Sequence, residues 1–298
     1  MPVHPIIDQV GSVVLGKERQ IRLAVACLLA RGHLLIEDLP GVGKTTLAHA
    51  LSSSLGLEFR RIQFTADMLP ADVVGVSVYD RETGEFKFHA GPIFANLVLA
   101  DEINRTTPKT QSALLEAMEE GQVTVEGETR PLPTPFFVIA TQNPNDQAGT
   151  FPLPESQLDR FTMRIRLGYP DRDAERLLLS GNSGKKSVHS LSPCIGREEL
   201  LQLFEEVKKI HASSALLDYL QAILQRSRSG SEFINGLSPR AGLALLASAK
   251  AWAYLEERSM VLPEDIQAVL PSVVDHRLVS AREGLLPSDI LLEEVGIP

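Results

Sequence analysis

Residues 37–51 read EDLPGVGKTTLAHAL, with two glycines, a lysine and two threonines between an apolar run and a helical one. The window 38–45, D-L-P-G-V-G-K-T, fits the phosphate-loop pattern G-x-x-x-x-G-K-[ST] except that Asp38 stands at the first glycine. In such a loop Gly41 and Gly43 let backbone N–H groups turn inward toward phosphate oxygens, with Pro40, Val42 and Thr46 completing the nucleotide contacts. Lys44 neutralises the β and γ oxygens, and Thr45 ligates Mg²⁺. The positive end of a helix over 45–55 adds to the anion site. Asp38 is tolerated if Pro40-Gly41 makes the turn by itself. Taken alone, the stretch also fits an ordinary strand-to-helix glycine turn.

Two further elements supply the groups that phosphoryl chemistry needs. LVLADE places Asp101 and Glu102 at the end of an apolar strand. A metal ion beside Thr45 needs an acidic partner, and Asp101 suits it, directly or through water. Glu102 is then the general base that activates the attacking water. Alone, the pair could be two acidic residues at a helix start, where they are common. FVIATQNP puts Asn143 just past another apolar strand, where a short amide can hold that water against the γ-phosphate; an Asn-Pro turn is the alternative. The three elements together favour nucleoside triphosphate hydrolysis. The guanine-reading pattern N-K-x-D does not occur.

The elements that must position these groups alternate along the first part of the chain. Residues 18–31 have helical apolar spacing closed by Gly32; 33–37, 58–64, 96–103, 135–144 and 161–170 read as strands; 45–55 and 108–120 read as helices. Interleaved strands and helices imply an α/β fold with a mostly parallel sheet. Residues 75–94 and 121–132 read as hairpin insertions, turning at Thr83-Gly84 and at Gly127. After Pro170 the pattern becomes helical, over 171–180, 197–210, 214–227, 239–257 and 263–278, with Asp171 and Ser238 as N-caps. The expected division is an α/β nucleotide-binding core over 1–169 and a smaller all-helical domain over 170–298. Residues 180–190 read as a flexible polar loop.

Composition narrows the class. The chain has 298 residues, 44% apolar and 22% charged, with a net charge of −9. That is an ordinary globular composition, and it argues against a general electrostatic grip on nucleic acid. No signal peptide or spanning apolar run is evident, so a cytoplasmic protein without membrane insertion is expected. Two distant cysteines, Cys27 and Cys194, suggest a reducing compartment. Seven scattered histidines without HExxH or paired spacing argue against a structural metal site.

EDLPGVGKT, LVLADEINRTTPKTQSALLEAMEEGQVTVEG, FFVIATQNP, LPESQLDRF and LSPRAGLAL, in this order, resemble the MoxR-type AAA+ ATPases of the helix-2-insert group, over about Val13 to Leu278. The resemblance implies a phosphate-loop parallel-sheet core with two hairpin insertions and a helical lid, assembled into a ring, usually a hexamer, with ATP between subunits. It implies that Arg160 is an arginine finger reaching the γ-phosphate of the neighbouring subunit. It implies that Arg240 is a sensor arginine of the lid, contacting the nucleotide of its own subunit. Val14, Leu15 and Gly16 match the region that holds adenine, or else form a core edge. Phe86 and Phe88 on the first hairpin would meet the axial pore or a partner, or simply pack. Family members mature other proteins in a chaperone-like way, including cofactor or metal insertion, and commonly work with a von Willebrand factor A domain protein. Rival readings are a metal-chelatase motor subunit, a nucleic-acid motor, and a scaffold that binds ATP without turnover.

Overall fold

The structure, a computed structural model, describes residues 3–144, 149–180, 188–229, 231–281 and 284–297. In chain order the elements of the first part are α1 (His4–Gly11), α2 (Glu18–Leu29), β1 (Leu34–Glu37), α3 (Lys44–Ser54), β2 (Phe59–Gln63), α4 (Pro70–Val74), β3 (Gly75–Asp80), β4 (Glu85–Ala90), β5 (Leu97–Asp101), α5 (Pro108–Glu120), β6 (Gln122–Val125), β7 (Glu128–Pro131), β8 (Phe137–Gln142), α6 (Glu155–Leu158) and β9 (Met163–Ile165). The second part contains α7 (Arg172–Leu179), α8 (Arg197–Lys209), α9 (Ser214–Arg228), α10 (Pro239–Leu255), α11 (Pro263–Val274) and α12 (Pro287–Glu294).

Five strands form one sheet in the order β2-β5-β8-β1-β9, and every pairing in it is parallel. The central strands are apolar up to their C-terminal ends because helices cover both faces, so both side-chain sets need burial. Side chains alternate between two cores. Leu97 and Leu99 face the one shared with α1, α2, α3 and the helical second part. Val98 and Ala100 face the one shared with α5. Each fully buried leucine or isoleucine contributes about 1.5–3 kcal/mol by leaving water. Because all five strands point the same way, the loops after β1, β5 and β8 meet at one sheet edge, and that brings residues 38–45, 101–102 and 143 together.

Both hairpins form. β3 pairs with β4 across residues 81–84, and β6 pairs with β7 across Glu126 and Gly127, both with positive φ (53° and 82°). Arg130 of the second hairpin lies over the Phe88 ring of the first, 4.1 Å from its centroid. Phe88 also packs edge-on against Phe94, whereas Phe86 is 70% exposed beside Tyr79. The expected caps are present: Asp171 accepts from the Ala174 N–H at 2.8 Å and Ser238 from the Ala241 N–H at 3.0 Å. The helices α1, α4, α6 and α12 go beyond the sequence expectation. Most of the polar loop expected at 180–190 lies outside the described residues. Among the described residues, no helix is long and apolar enough to cross a membrane.

Candidate nucleotide site

The loop after β1 ends in the left-handed region at Gly43 (φ 99°), the N-cap of α3, with Gly41 also at positive φ (83°). A Cβ at either position would meet nothing within 4 Å, so backbone conformation, not space, makes these sites glycine. No side chain caps the N-terminus of α3. Its first N–H groups therefore suit an anion, the donor set a triphosphate requires. Lys44 stands at the first position of that helix and donates to the backbone oxygens of Asp38 (2.6 Å) and Leu39 (3.2 Å). Desolvation lowers the Lys44 pKa, opposed by the negative charges of Asp101, Asp38 and Glu102. Thr45 and Thr46 are half-buried on the same turn, Pro40 is exposed and Val42 packs against the core.

Asp38, the departure from the usual pattern, has its own function in the loop. It is buried, and its carboxylate accepts from the N–H of Leu39 at 2.8 Å and of Gly168 at 2.6 Å. A glycine there would have no side chain to tie the start of the loop to the segment after β9.

Asp101 is buried at the end of β5. Its Oδ1 accepts from the Thr141 hydroxyl at 2.6 Å, and its Oδ2 accepts from Arg61 Nη2 at 2.6 Å and Nε at 3.1 Å. Glu102 has φ 57°, a left-handed conformation that costs a non-glycine residue of the order of 1–3 kcal/mol. The Thr141 hydroxyl holds it there by accepting from the Glu102 N–H at 2.8 Å. The Glu102 carboxylate accepts from Gln63 Nε2 at 3.0 Å and Arg105 Nη1 at 3.1 Å. Asn143 follows β8, and its backbone oxygen accepts from Asn104 Nδ2 at 3.5 Å. Thr141, Arg61 and Gln63 are thus site residues that the sequence reading missed. Arg61 and Gln63 have a faint signal, since they are two apart on the strand beside LVLAD; Thr141 has none.

Gly16 and Leu15 precede α2, with Val14 buried. A Cβ on Gly16 would come within 3.0 Å of Ala174 Cβ and of the Asp171 carboxylate, so this segment abuts the start of α7. The adjoining cavity of about 910 Å³ is lined by Val14, Gly16, Lys17, Asp171 and Trp252 among others.

Arg160 and Arg240 lie elsewhere. Arg160 precedes β9 and donates to the Leu115 oxygen at 2.7 Å, and it pairs with Glu119 at 2.7 Å. Arg240, in the first turn of α10, pairs with the other oxygen of the same Glu119. Glu119 lies in the last turn of α5, next to Met118, whose oxygen meets His33 Nε2 just before β1. Both arginines therefore sit at the N-terminal edge of the sheet. The strands, four to six residues long at β1 and β8, separate that edge from Lys44 by roughly 13–20 Å. The packing of α10 thus carries Arg240 to the Arg160 side and away from Lys44.

Comparison with known proteins agrees with this architecture. Residues 33–163 match the family model described as "ATPase family associated with various cellular activities (AAA)", and residues 225–294 match the AAA lid domain. The uncharacterized protein YeaC of Bacillus subtilis is 48% identical over 281 residues, covering 93% of this chain and 88% of that protein. Chaperone MoxR1 of Mycobacterium tuberculosis is 38% identical, covering 94% and 76%, and protein MoxR of Paracoccus denitrificans is 31% identical, covering 97% and 93%. The crystal structure of a protein from Cytophaga hutchinsonii superposes with a TM-score of 0.90 at 37% identity, covering 100% of this chain and 95% of that one. With the parallel sheet, the loop and carboxylates at its C-terminal edge, and a helical lid, the chain belongs to the MoxR family of AAA+ ATPases.

Proposed function

We propose that the chain hydrolyses ATP between subunits of a ring and uses the cycle to remodel client proteins. The observation that carries this is the meeting, at one sheet edge, of the uncapped α3 N-terminus with Lys44 and of Asp101 with a left-handed Glu102. The loop N–H groups and Lys44 hold the phosphates. Glu102 accepts a proton as water attacks the γ-phosphorus in line, and Asn143 orients that water. Thr45 and Asp101 would hold Mg²⁺, which supplies charge neutralisation across the β and γ oxygens. Both Asp101 oxygens already accept hydrogen bonds, from Thr141 and Arg61, and this favours an indirect contact through water.

Arg160 and Arg240 are placed together at the opposite edge, where a head-to-tail neighbour would present its nucleotide. There their planar, permanently charged forks stabilise charge on the phosphate oxygens in the transition state. Hydrolysis withdraws that contact, so subunit and lid shift together. A hexamer, a von Willebrand factor A domain partner and a cytoplasmic setting remain part of the proposal, with cofactor or metal insertion as the form the client's maturation takes. The relative named a chaperone supports the client-remodelling reading. A metal-chelatase motor shares the same core and separates from it only by partner. A nucleic-acid motor is disfavoured by the net charge of −9. Phosphate release under multiple turnover, for wild type and Lys44→Ala, tests the proposal: wild type turns over and the variant does not. Binding of ATP without steady-state release in any assembly state would make the chain a scaffold.

A further inference from the structure

Arg277 follows α11, and its side chain is 4% exposed. Its guanidinium is spread over the segment that carries Arg160. Nε donates to Asp159 Oδ1 at 2.7 Å, Nη2 to the backbone oxygens of Asp159 (3.2 Å) and Phe161 (2.6 Å), and Nη1 to the oxygen of Thr162 at 3.2 Å and to that of Val273. It thus grips the chain on both sides of Arg160. A second tie runs through the other carboxylate oxygen: Asp159 Oδ2 accepts from the Ser238 hydroxyl at 3.0 Å. Ser238 caps α10, the helix whose first turn bears Arg240.

We propose that Arg277, acting with Asp159, is a positioning residue that fixes Arg160 and ties it to Arg240, so that the two arginines are presented to a neighbouring subunit as one rigid unit. Burying a guanidinium is costly unless its donors are met, and here they are met by a carboxylate and by carbonyls flanking one functional residue. A purely structural filler for this junction would need no planar fork aimed at residues 159, 161 and 162. Lysine cannot reproduce that fork, because its ammonium is a compact point charge. The inference rests on the reading of Arg160 as a residue that acts on the neighbour's site.

The test uses full-length Arg277→Lys, with assembly followed by mass photometry. The variant is expected to assemble and to bind ATP with little change in KM, while kcat falls about tenfold or more, because a misplaced fork costs transition-state contact only. Mixing is the decisive readout. Arg277→Lys and Glu102→Gln, each impaired alone, are combined below the assembly concentration and then concentrated. Interfaces that join Glu102 of one subunit to a well-placed Arg160 of the other make up about a quarter of a random head-to-tail ring, and activity should return in about that proportion. Arg160→Ala mixed with Glu102→Gln is the control. Rescue in the control but not with Arg277→Lys overturns this inference and leaves the Arg160 reading intact. No rescue in the control overturns both. Asp159→Asn, which removes the ion pair from its more exposed side, goes through the same mixing if Arg277→Lys does not assemble, and is held to the same outcomes.

Discussion

Thr141→Val removes one hydroxyl that joins the two carboxylate residues of the site. Thr141 is fully buried, and valine nearly matches its shape, so no cavity opens. Two bonds are lost: the 2.8 Å bond that holds the Glu102 N–H and the 2.6 Å bond to Asp101 Oδ1. Leaving a buried donor unmet costs about 1–3 kcal/mol, and a bond to a charged group is worth about 1.5–3 kcal/mol. Asp101 keeps Arg61, which trims the second figure. The expected loss is about 2–5 kcal/mol of stability, read from urea midpoints. Glu102 sits in a conformation that is itself unfavourable, so loss of its backbone tether also loosens the proposed general base. kcat for ATP should fall about tenfold or more, since each 1.4 kcal/mol of lost transition-state stabilisation is about a factor of ten. ATP affinity should change little, because the loop and Lys44 are untouched. Thr141→Ser keeps the hydroxyl and should lie close to wild type, losing about 1 kcal/mol for the methyl. A valine variant with unchanged kcat and midpoint, or a serine variant worse than valine, would refute the reasoning.

Asp38→Ala leaves the Leu39 and Gly168 N–H groups without their carboxylate and frees the start of the loop. ATP should bind several-fold more weakly by calorimetry and the unfolding midpoint should drop; Asp38→Gly, which restores the common pattern, should be no better. Tighter ATP binding by Asp38→Gly would show that the tie is not functional. His33 accepts from the Val138 N–H on Nδ1 at 3.0 Å and meets the Met118 oxygen through Nε2 at 3.1 Å, an arrangement for the neutral ring. Desolvation brings its pKa from 6.5 down to about 4. The unfolded chain takes up that proton first, so the stability from the neutral ring is full above about pH 6.5 and is lost as pH falls toward 4, by about 1–3 kcal/mol. His276, also lowered by burial, adds in the same sense. His33→Gln should flatten the dependence of the urea midpoint between pH 7.5 and 5.0, and an unchanged slope would remove His33 as its source.

What could be read from sequence was local in sequence. The phosphate loop declares itself because its glycines, lysine and threonine contact one ligand through adjacent residues. The hairpins declare themselves at Gly84 and Gly127, which both take positive φ. The carboxylates end apolar strands that a parallel sheet must bury. The missed helices are short: α1 and α12 have eight residues each, α4 five and α6 four, too few turns for a clear period. The missed site residues act across the sheet. Thr141 and Asp101 are forty residues apart, as are Arg61 and Asp101, and only the β2-β5-β8 order makes them neighbours. The place of Arg240 beside Arg160 and Glu119 likewise follows from how α10 packs, and nothing in LSPR encodes that.

The central claim is a nucleotide site that is completed by a neighbour and fired by Glu102. The most direct measurement is ATP turnover with Mg²⁺ against protein concentration, for wild type and Glu102→Gln, with mass photometry on the same samples. The account predicts that turnover per subunit rises with assembly, and that Glu102→Gln binds ATP and assembles without turning over. Turnover per subunit that stays constant down to a demonstrated monomer, or a Glu102→Gln variant as active as wild type, would contradict it.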